Sequence, residues 1–503
     1  MKLHSKNLFV SFFCLFNLTV YGQTITSRII DATTKEPVPY VTILLANKKG
    51  VITNEEGRFS LQLRENTQAS DTLFISCMGY ETIAKPLDQF NEEVILLHPK
   101  AIELNDVFVS NKNYSADEII EKVKEQMSQN YDQEFTRKRL FLRESDFQNL
   151  SRTNYTFKKS TIPALNKQFL DSVLTTIPKK YAYYSEILCD YYGNLEDEKQ
   201  KIKLIKASEL YDKKNEIGIQ AMEKKFNEIL KKNIKPDSYL KIKSGWFGTK
   251  VDADEVLNTE EADTEALEKE LKQEKAKEEE RKNFAEYRKK TVHGLMQKLF
   301  YTDDTDLNFI RKSRKYKFEL TDYSYIGNQP VYVIHFEPKR NADYKGTLYV
   351  NIDDFAVLRA DYENVQPLRN FNLLGISFSE YLSKGKMIFS KNNNEKYSLL
   401  YLEHETGGKF GIRRPLKIVE KNKHVKGRRK QNELEVKLDM ATTATRKYEL
   451  VVFDAEKITA SYFESIPEKN DQLPTYMPSY DPDFWKGYNI IEPNQAIKEF
   501  TAK

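Results

Sequence analysis

A chain of 503 residues, 40% hydrophobic and 31% charged, can bury a sizeable core, and its length corresponds to about two to four domains. Its 79 basic and 75 acidic residues leave a formal charge of +4, and removing Lys2 and Lys6 with a leader lowers that to +2. Such a balance argues against a general nucleic-acid binder, which concentrates a basic excess on one domain.

The first 22 residues have the three parts of a secretory signal. Lys2 and Lys6 supply a positive start, Leu8 to Leu18 is apolar, and Val20-Tyr21-Gly22 stands before Gln23, so cleavage is expected after Gly22. The apolar run is too short for an anchor, because a helix needs about 20 apolar residues to cross a bilayer. No later segment is apolar enough to span. Cys14 follows Phe13, where a lipid-modification site wants a small residue. Export is therefore expected, with no transmembrane segment in the mature chain.

Residues 23–110 read as a first, all-β domain. Ile25 to Asp31 and Val41 to Leu45 are β-rich runs separated by a loop that holds Pro37 and Pro39. Gly50 to Phe59 is expected to be a hairpin, with Asn54 closing an Asx-turn and Gly57 taking positive φ. Phe59, Leu61 and Leu63 alternate with Ser60, Gln62 and Arg64, the period that buries one strand face. Strands at Thr72 to Cys77 and Val94 to Leu97 complete a sandwich of two sheets. Cys77 and Cys189 are the mature chain's two cysteines; Cys77, on a buried strand face, is expected to stay a free thiol.

Four segments of this domain resemble the carboxypeptidase-regulatory-like family, a transthyretin-like sandwich. They are Asp31-Ala32-Thr33 with Pro37, Thr53 to Phe59, Ile75-Ser76-Cys77-Met78-Gly79-Tyr80, and the exit strand Leu104 to Val109. The family commonly has Asp where this chain has Asn54, a change that keeps the turn chemistry. The resemblance implies a secreted or periplasmic accessory module without peptidase activity, of the kind found ahead of outer-membrane transporters and other envelope proteins of Gram-negative bacteria.

Residues 111–300 mix strand and helix. Ser115 and Glu118 form a capping box, and Ile119, Ile120, Val123 and Met127 share one side of the helix that follows. Strands are expected at Tyr131 to Leu142, Asn154 to Lys158 and Tyr181 to Tyr192, with Ile162 to Ile177 helical. The tyrosines Tyr181, Tyr183, Tyr184, Tyr191 and Tyr192 fit a half-buried strand core. Asn215 to Asn233 is expected to be one helix, ended by Pro236. A loop through Gly245, Trp246 and Gly248 leads to a longer helix over 254–300. Its middle, Glu260 to Lys282, alternates charge with Leu267 and Leu271 as its large apolar residues, a solvated projection rather than a coiled-coil arm. Phe284, Tyr287, Val292, Leu295, Met296 and Leu299 dock its end on the body.

Residues 301–466 read as an antiparallel meander, followed by a tail over 467–503. Tyr316, Phe318 and Leu320 alternate with Lys317 and Glu319, and Gly327-Asn328, Lys345-Gly346 and Asn392-Asn393-Asn394 mark turns. The fold class expected is α+β: a sandwich, then a wide curved antiparallel sheet of eight or more strands with helices packed on it. The segments Val333 to Lys339, Gly346 to Val350 and Ala356 to Arg359 resemble the curved half-barrel of periplasmic lipoprotein carriers. That resemblance implies lipid or lipoprotein handling in an apolar concavity.

The sequence offers no catalytic constellation. His98, His293, His335, His404 and His424 lack helical zinc spacing, and His404-Glu405 runs into Gly407-Gly408 where a second His would be needed. His335, in phase with Val331 and Val333, is expected in the core. No cofactor or metal site is expected. Lys421, Lys423, Lys426, Arg428, Arg429 and Lys430 concentrate positive charge in a loop, with Lys426, Arg428 and Arg429 the candidate contacts for an anionic partner such as lipopolysaccharide phosphate. The competing reading is a solvated hairpin tip.

The functional expectation is a non-enzymatic envelope protein, periplasmic or outer-membrane associated, that binds an outer-membrane protein, lipid or glycan. A periplasmic lipid or lipoprotein carrier is the alternative, and a hydrolase with a dispersed site is the second alternative.

Overall fold

The computed structural model describes residues 24–45, 49–63, 67–100, 114–245, 247–253, 279, 283–339, 341–392, 395–424, 429–468 and 472–502. The leader, the exit strand Leu104 to Val109 and the charged middle of the expected 254–300 helix lie outside these residues.

Seven short strands build the N-terminal body: β1 (Thr24–Asp31), β2 (Thr42–Leu45), β3 (Lys49–Ile52), β4 (Arg58–Gln62), β5 (Thr72–Ser76), β6 (Ile83–Pro86) and β7 (Val94–Leu97). They form two sheets, β4-β1-β7 and β3-β2-β5-β6. Alternating side chains Ile29, Ile43, Phe59, Leu73, Ile75 and Leu97 are fully buried between them. The expected hairpin at Gly50 to Phe59 is corrected. Asn54 Oδ1 does accept from the backbone of Glu56 and Arg58 (3.0 and 2.9 Å), and Gly57 does take φ +71°. However, β3 and β4 belong to different sheets, so this turn carries the chain across the sandwich instead of folding it back.

Among the described residues the larger body holds one open sheet of fourteen strands. In chain order these are β8 (Thr136–Ser160), β9 (Lys180–Gly193), β10 (Gln200–Tyr211), β11 (Ser238–Ser244), β12 (Phe247–Asp252), β13 (Tyr316–Ile326), β14 (Gln329–Pro338), β15 (Tyr344–Asn351), β16 (Val357–Asn364), β17 (Arg369–Leu373), β18 (Ile376–Lys391), β19 (Tyr397–Asn422), β20 (Lys430–Lys457) and β21 (Thr475–Met477). The spatial order is β13-β14-β15-β16-β18-β19-β20-β8-β9-β10-β21, with β17 beside β18 and the β11–β12 hairpin beside the far end of β19. The fold class is α+β, and strands of both 111–300 and 301–466 share this sheet. Two local expectations change. The two strands expected between Tyr131 and Lys158 are the single strand β8, and the Gly245 loop is the turn of the β11–β12 hairpin.

The helices are α1 (Ala116–Asn130), α2 (Lys167–Thr176), α3 (Lys213–Asn233), α4 (residues 283–296), α5 (Ala460–Ser465) and α6 (Gln495–Lys498). The capping box of α1 is formed as its sequence requires, and Ile119, Ile120, Val123 and Met127 are its buried side.

The two faces of the sheet are covered differently. One face, with Phe141, Leu188, Tyr401 and Val451, shares a continuous apolar core with the sandwich and with Trp485 and Ile491 of the C-terminal tail. The other, with Leu142, Ile187, Leu402 and Leu450, lies under α1 and α4. A row of polar groups crosses five strands on the sandwich side in register: Glu403, Glu449, Arg143, Glu186 and Ser208. Tyr40 of the sandwich donates to Glu403 (3.0 Å), and Lys447 pairs with both Glu403 (3.1 Å) and Glu55 of the sandwich. The opposed charges hold the Glu403 carboxyl below its ordinary range: burial pushes it up, but Lys447 and Lys386 outweigh that.

Cys77 and Cys189 are free thiols. His335 is not a core residue. On β14 Ile334 and Phe336 are fully buried, and His335 between them points to the opposite face, where its side chain is 40% exposed and 3.5 Å from Glu337. The buried histidine is His404, 2.9 Å from the Tyr362 hydroxyl, its imidazole pushed down to about 3 by burial.

Candidate functional site

The long strands run past the body, and their far half is where apolar side chains meet solvent. Along β19, every second residue from Leu402 points to one face. Leu402 lies under α1 and α4, while Ile418 packs against the cluster that holds Phe169 of α2 and Ile229 and Leu230 of α3. Between these two helical covers the same face presents Phe410, Ile412 and Arg414. From Thr406 to Arg414, eight steps of about 3.3 Å make an opening about 26 Å long.

Cross-strand partners share a face, so the register extends this strip sideways. Phe371, Phe378 and Phe410 stand opposite one another on β17, β18 and β19, and Leu373, Ile376, Ile412 and Met440 form the next row. Phe371 is 47% exposed, Phe378 36% and Phe410 44%. Exposed apolar groups in a contiguous array mark a binding surface, whereas singly scattered ones do not.

The strip deepens into a groove of about 390 Å³ where two hairpin turns meet end to end along one edge of β19, between its pairings with β18 and with β11. One turn belongs to β11–β12 and contributes Ser244 and Phe247. The other joins β17 to β18 and contributes Leu373, Leu374 and Ile376, while Ile412, Pro415, Leu416 and Leu438 form the floor. The volume falls within the roughly 300–1,000 Å³ of small-molecule sites.

The turn between β17 and β18 has two central residues, Leu374 and Gly375, because Leu373 pairs with Ile376. Both have positive φ, +51° and +77°, as a type I′ turn requires. Glycine is needed at the second position, where an added Cβ would lie 2.3 Å from the Arg413 carbonyl. Asn is the residue that suits the first. A leucine there carries a left-handed backbone cost of roughly 1–2 kcal/mol, and its side chain is 60% exposed. Local stability therefore does not account for Leu374.

Arg414 is the polar member of the groove and only 6% exposed. Its Nε donates to Ser244 Oγ at 2.9 Å, its Nη2 donates to the Ser244 carbonyl, and its guanidinium lies 5.3 Å from the Phe247 ring centre. Among the described residues no carboxylate pairs with it. Neighbouring Arg413 points to the other face, toward Asp439 at 3.7 Å.

The sequence-nominated basic loop is a separate place. Lys426 and Arg428 lie outside the described residues. Arg429 is exposed, and its carbonyl accepts from Asn422 at the close of β19. Part of the loop's charge is spoken for: Lys423 pairs with Asp252 (3.2 Å), and Lys430 joins Lys159 and Lys417 around Glu433. Ten residues of strand, about 33 Å, separate Ile412 from Asn422. The tyrosine cluster of β9 is core in part, with Tyr184, Tyr191 and Tyr192 buried.

Sequence reasoning did not single out the groove, since an apolar residue in a strand is ordinarily core. The one local signal was Leu373-Leu374-Gly375, an apolar pair where turn chemistry favours Asn-Gly. Among the described residues no group of His, Cys, Asp and Glu is arranged to hold a metal ion, and no helix is long and apolar enough to cross a membrane.

Comparison with curated proteins finds no match. Solved structures give weak likenesses. A domain described as an outer membrane lipoprotein-sorting protein from Vibrio parahaemolyticus is 10% identical over 69% of this chain and 97% of its own, with a TM-score of 0.21. The MucA/MucB complex of Pseudomonas aeruginosa gives 7% identity over 69% and 99%, with a TM-score of 0.16. A membrane-associated protein of unknown function from Bacteroides fragilis gives 10% identity over 84% and 97%, with a TM-score of 0.12. The N-terminal segment is clearer: residues 25–109 match the CarboxypepD_reg-like domain family, and the sandwich of this protein is a CarboxypepD_reg-like domain.

Proposed function

We propose that this is an exported, non-catalytic envelope protein that binds an apolar ligand through the groove between its two helical covers. In this reading the CarboxypepD_reg-like sandwich is an accessory module, fixed to the opposite face of the sheet by a shared core. The observation that carries the reading is the in-register array Phe371, Phe378 and Phe410, exposed and, among the described residues, uncovered on a face that helices cover at both ends.

Carriage of lipid is the second reading, favoured by the apolar groove lining. It is narrower than a carrier with a continuous concavity, because over the body α1 and α4 fill that face with the protein's own side chains.

Titration with the uncharged probe N-phenyl-1-naphthylamine tests the proposal. Saturable binding is expected for the wild type and loss of binding for Phe378→Ser with Phe410→Ser, at unchanged circular dichroism. Absence of probe binding by the wild type would overturn it.

A further inference from the structure

We infer that the groove recognises a single-chain amphiphile with an anionic head, its chain along the phenylalanine strip and its head at Arg414. This rests on the apolar-binding reading above and names the ligand class. A guanidinium is always charged and ordinarily meets a carboxylate or phosphate when buried. Arg414 is 6% exposed at the end of an apolar groove, and among the described residues its guanidinium donates to the hydroxyl and carbonyl of Ser244, both neutral. A buried cation without a counter-charge is unfavourable, and an incoming anion supplies the missing partner.

The ligand's length and form follow from the surroundings. Half of a bilayer's hydrocarbon core of about 30 Å is about 15 Å, so a single acyl chain fits an opening about 26 Å long. The strip is flanked on its own face by α1 and α4 at one end and by α2 and α3 at the other, and helices with side chains stand about 10 Å high. A flat bilayer meets those helices before it meets Phe410, whereas a monomeric chain can lie between them. Leu374, exposed at a backbone position that suits Asn, gives the chain an apolar contact at the groove's lip.

Three amphiphiles of one chain length separate head recognition from apolar binding: myristate, 1-tetradecanol and tetradecylamine, each below its aggregation concentration, displacing N-phenyl-1-naphthylamine from the full-length protein. Myristate is expected to bind about tenfold tighter than the alcohol, and the amine weakest. Arg414→Gln is expected to bring myristate to the level of the alcohol, and Arg414→Lys to restore most of the difference. Equal binding of all three by the wild type, a result that needs no variant to fold, overturns head recognition while leaving the apolar reading intact. Failure of the probe itself to bind removes both. Flotation with phosphatidylglycerol vesicles, without displacement of the probe by monomeric myristate, would identify a bilayer surface as the ligand and overturn the inference.

Discussion

Arg143 on β8 and Glu186 on β9 face each other in register, each 1% exposed, with Arg143 Nε donating to Glu186 Oε1 at 2.7 Å. Neither is left with only the other. Arg143 also donates to the Ile491 carbonyl at 2.8 Å, and Glu186 accepts from Trp485 Nε1 at 2.6 Å. The pair thus joins the central sheet to the C-terminal tail, which in turn reaches the sandwich where the Gln62 backbone donates to Asn489 Oδ1 at 2.7 Å.

Removing one member strands the other charge in the core. Arg143→Met is expected to cost about 3–5 kcal/mol of stability, measured by urea denaturation. The pair of exposed Arg152 and half-buried Asp439, at 2.7 Å, provides the contrast. Arg152→Met is expected to cost less than about 1 kcal/mol.

Gly57 sets the path by which the chain crosses the sandwich. With φ +71° and an added Cβ only 2.3 Å from the Ile29 carbonyl, Gly57→Ala must shift backbone. A loss of more than about 1 kcal/mol is expected, together with faster proteolysis within residues 24–100. Unchanged protection of that segment would show that the turn can relax.

His404 makes stability depend on pH. Burial holds its folded-state pKa at about 3, while an unfolded histidine titrates near 6.5. Between those values the unfolded chain binds a proton that the folded chain refuses, so stability falls as pH drops from about 6.5 toward about 3, by up to about 1.4 kcal/mol per pH unit. Melting temperatures of the wild type and His404→Gln should differ in slope over that window and run parallel above pH 7.

Leu374 separates stability from binding. Leu374→Asn places the preferred residue in the turn and is expected to raise stability by about 1 kcal/mol while weakening N-phenyl-1-naphthylamine binding. Arg428→Ala with Arg429→Ala, on the distant basic loop, should leave probe binding unchanged. A Leu374→Asn protein that is no more stable and binds as before would remove this residue from the account.

Legibility in the sequence followed the range of the forces involved. The capping box at Ser115 and Glu118 and the buried side of α1 are local and were readable residue by residue. Asn54 and Gly57 signalled a turn, but whether a turn folds a strand back or sends it to another sheet depends on distant partners. His335 reads as core from the sequence because both Val331 and Tyr332 are buried: counting by twos from Val331 puts it in the core, while counting from Phe336 does not. β8 reads as two strands because its far half, from Phe147 onward, loses the apolar pattern that the covered half carries. The groove was hidden for the converse reason. Phe378, Phe410 and Ile412 have the pattern of core residues, and only the placement of four helices reveals that nothing among the described residues covers them.

Hydrogen–deuterium exchange with and without N-phenyl-1-naphthylamine locates the ligand on the sheet. Binding in the groove slows exchange at residues 371–378 and 410–416 and at the turn 244–247, and nowhere else. Slowing elsewhere, such as at the edge of the sandwich or along β13 to β15, with no change in those three segments, would contradict it.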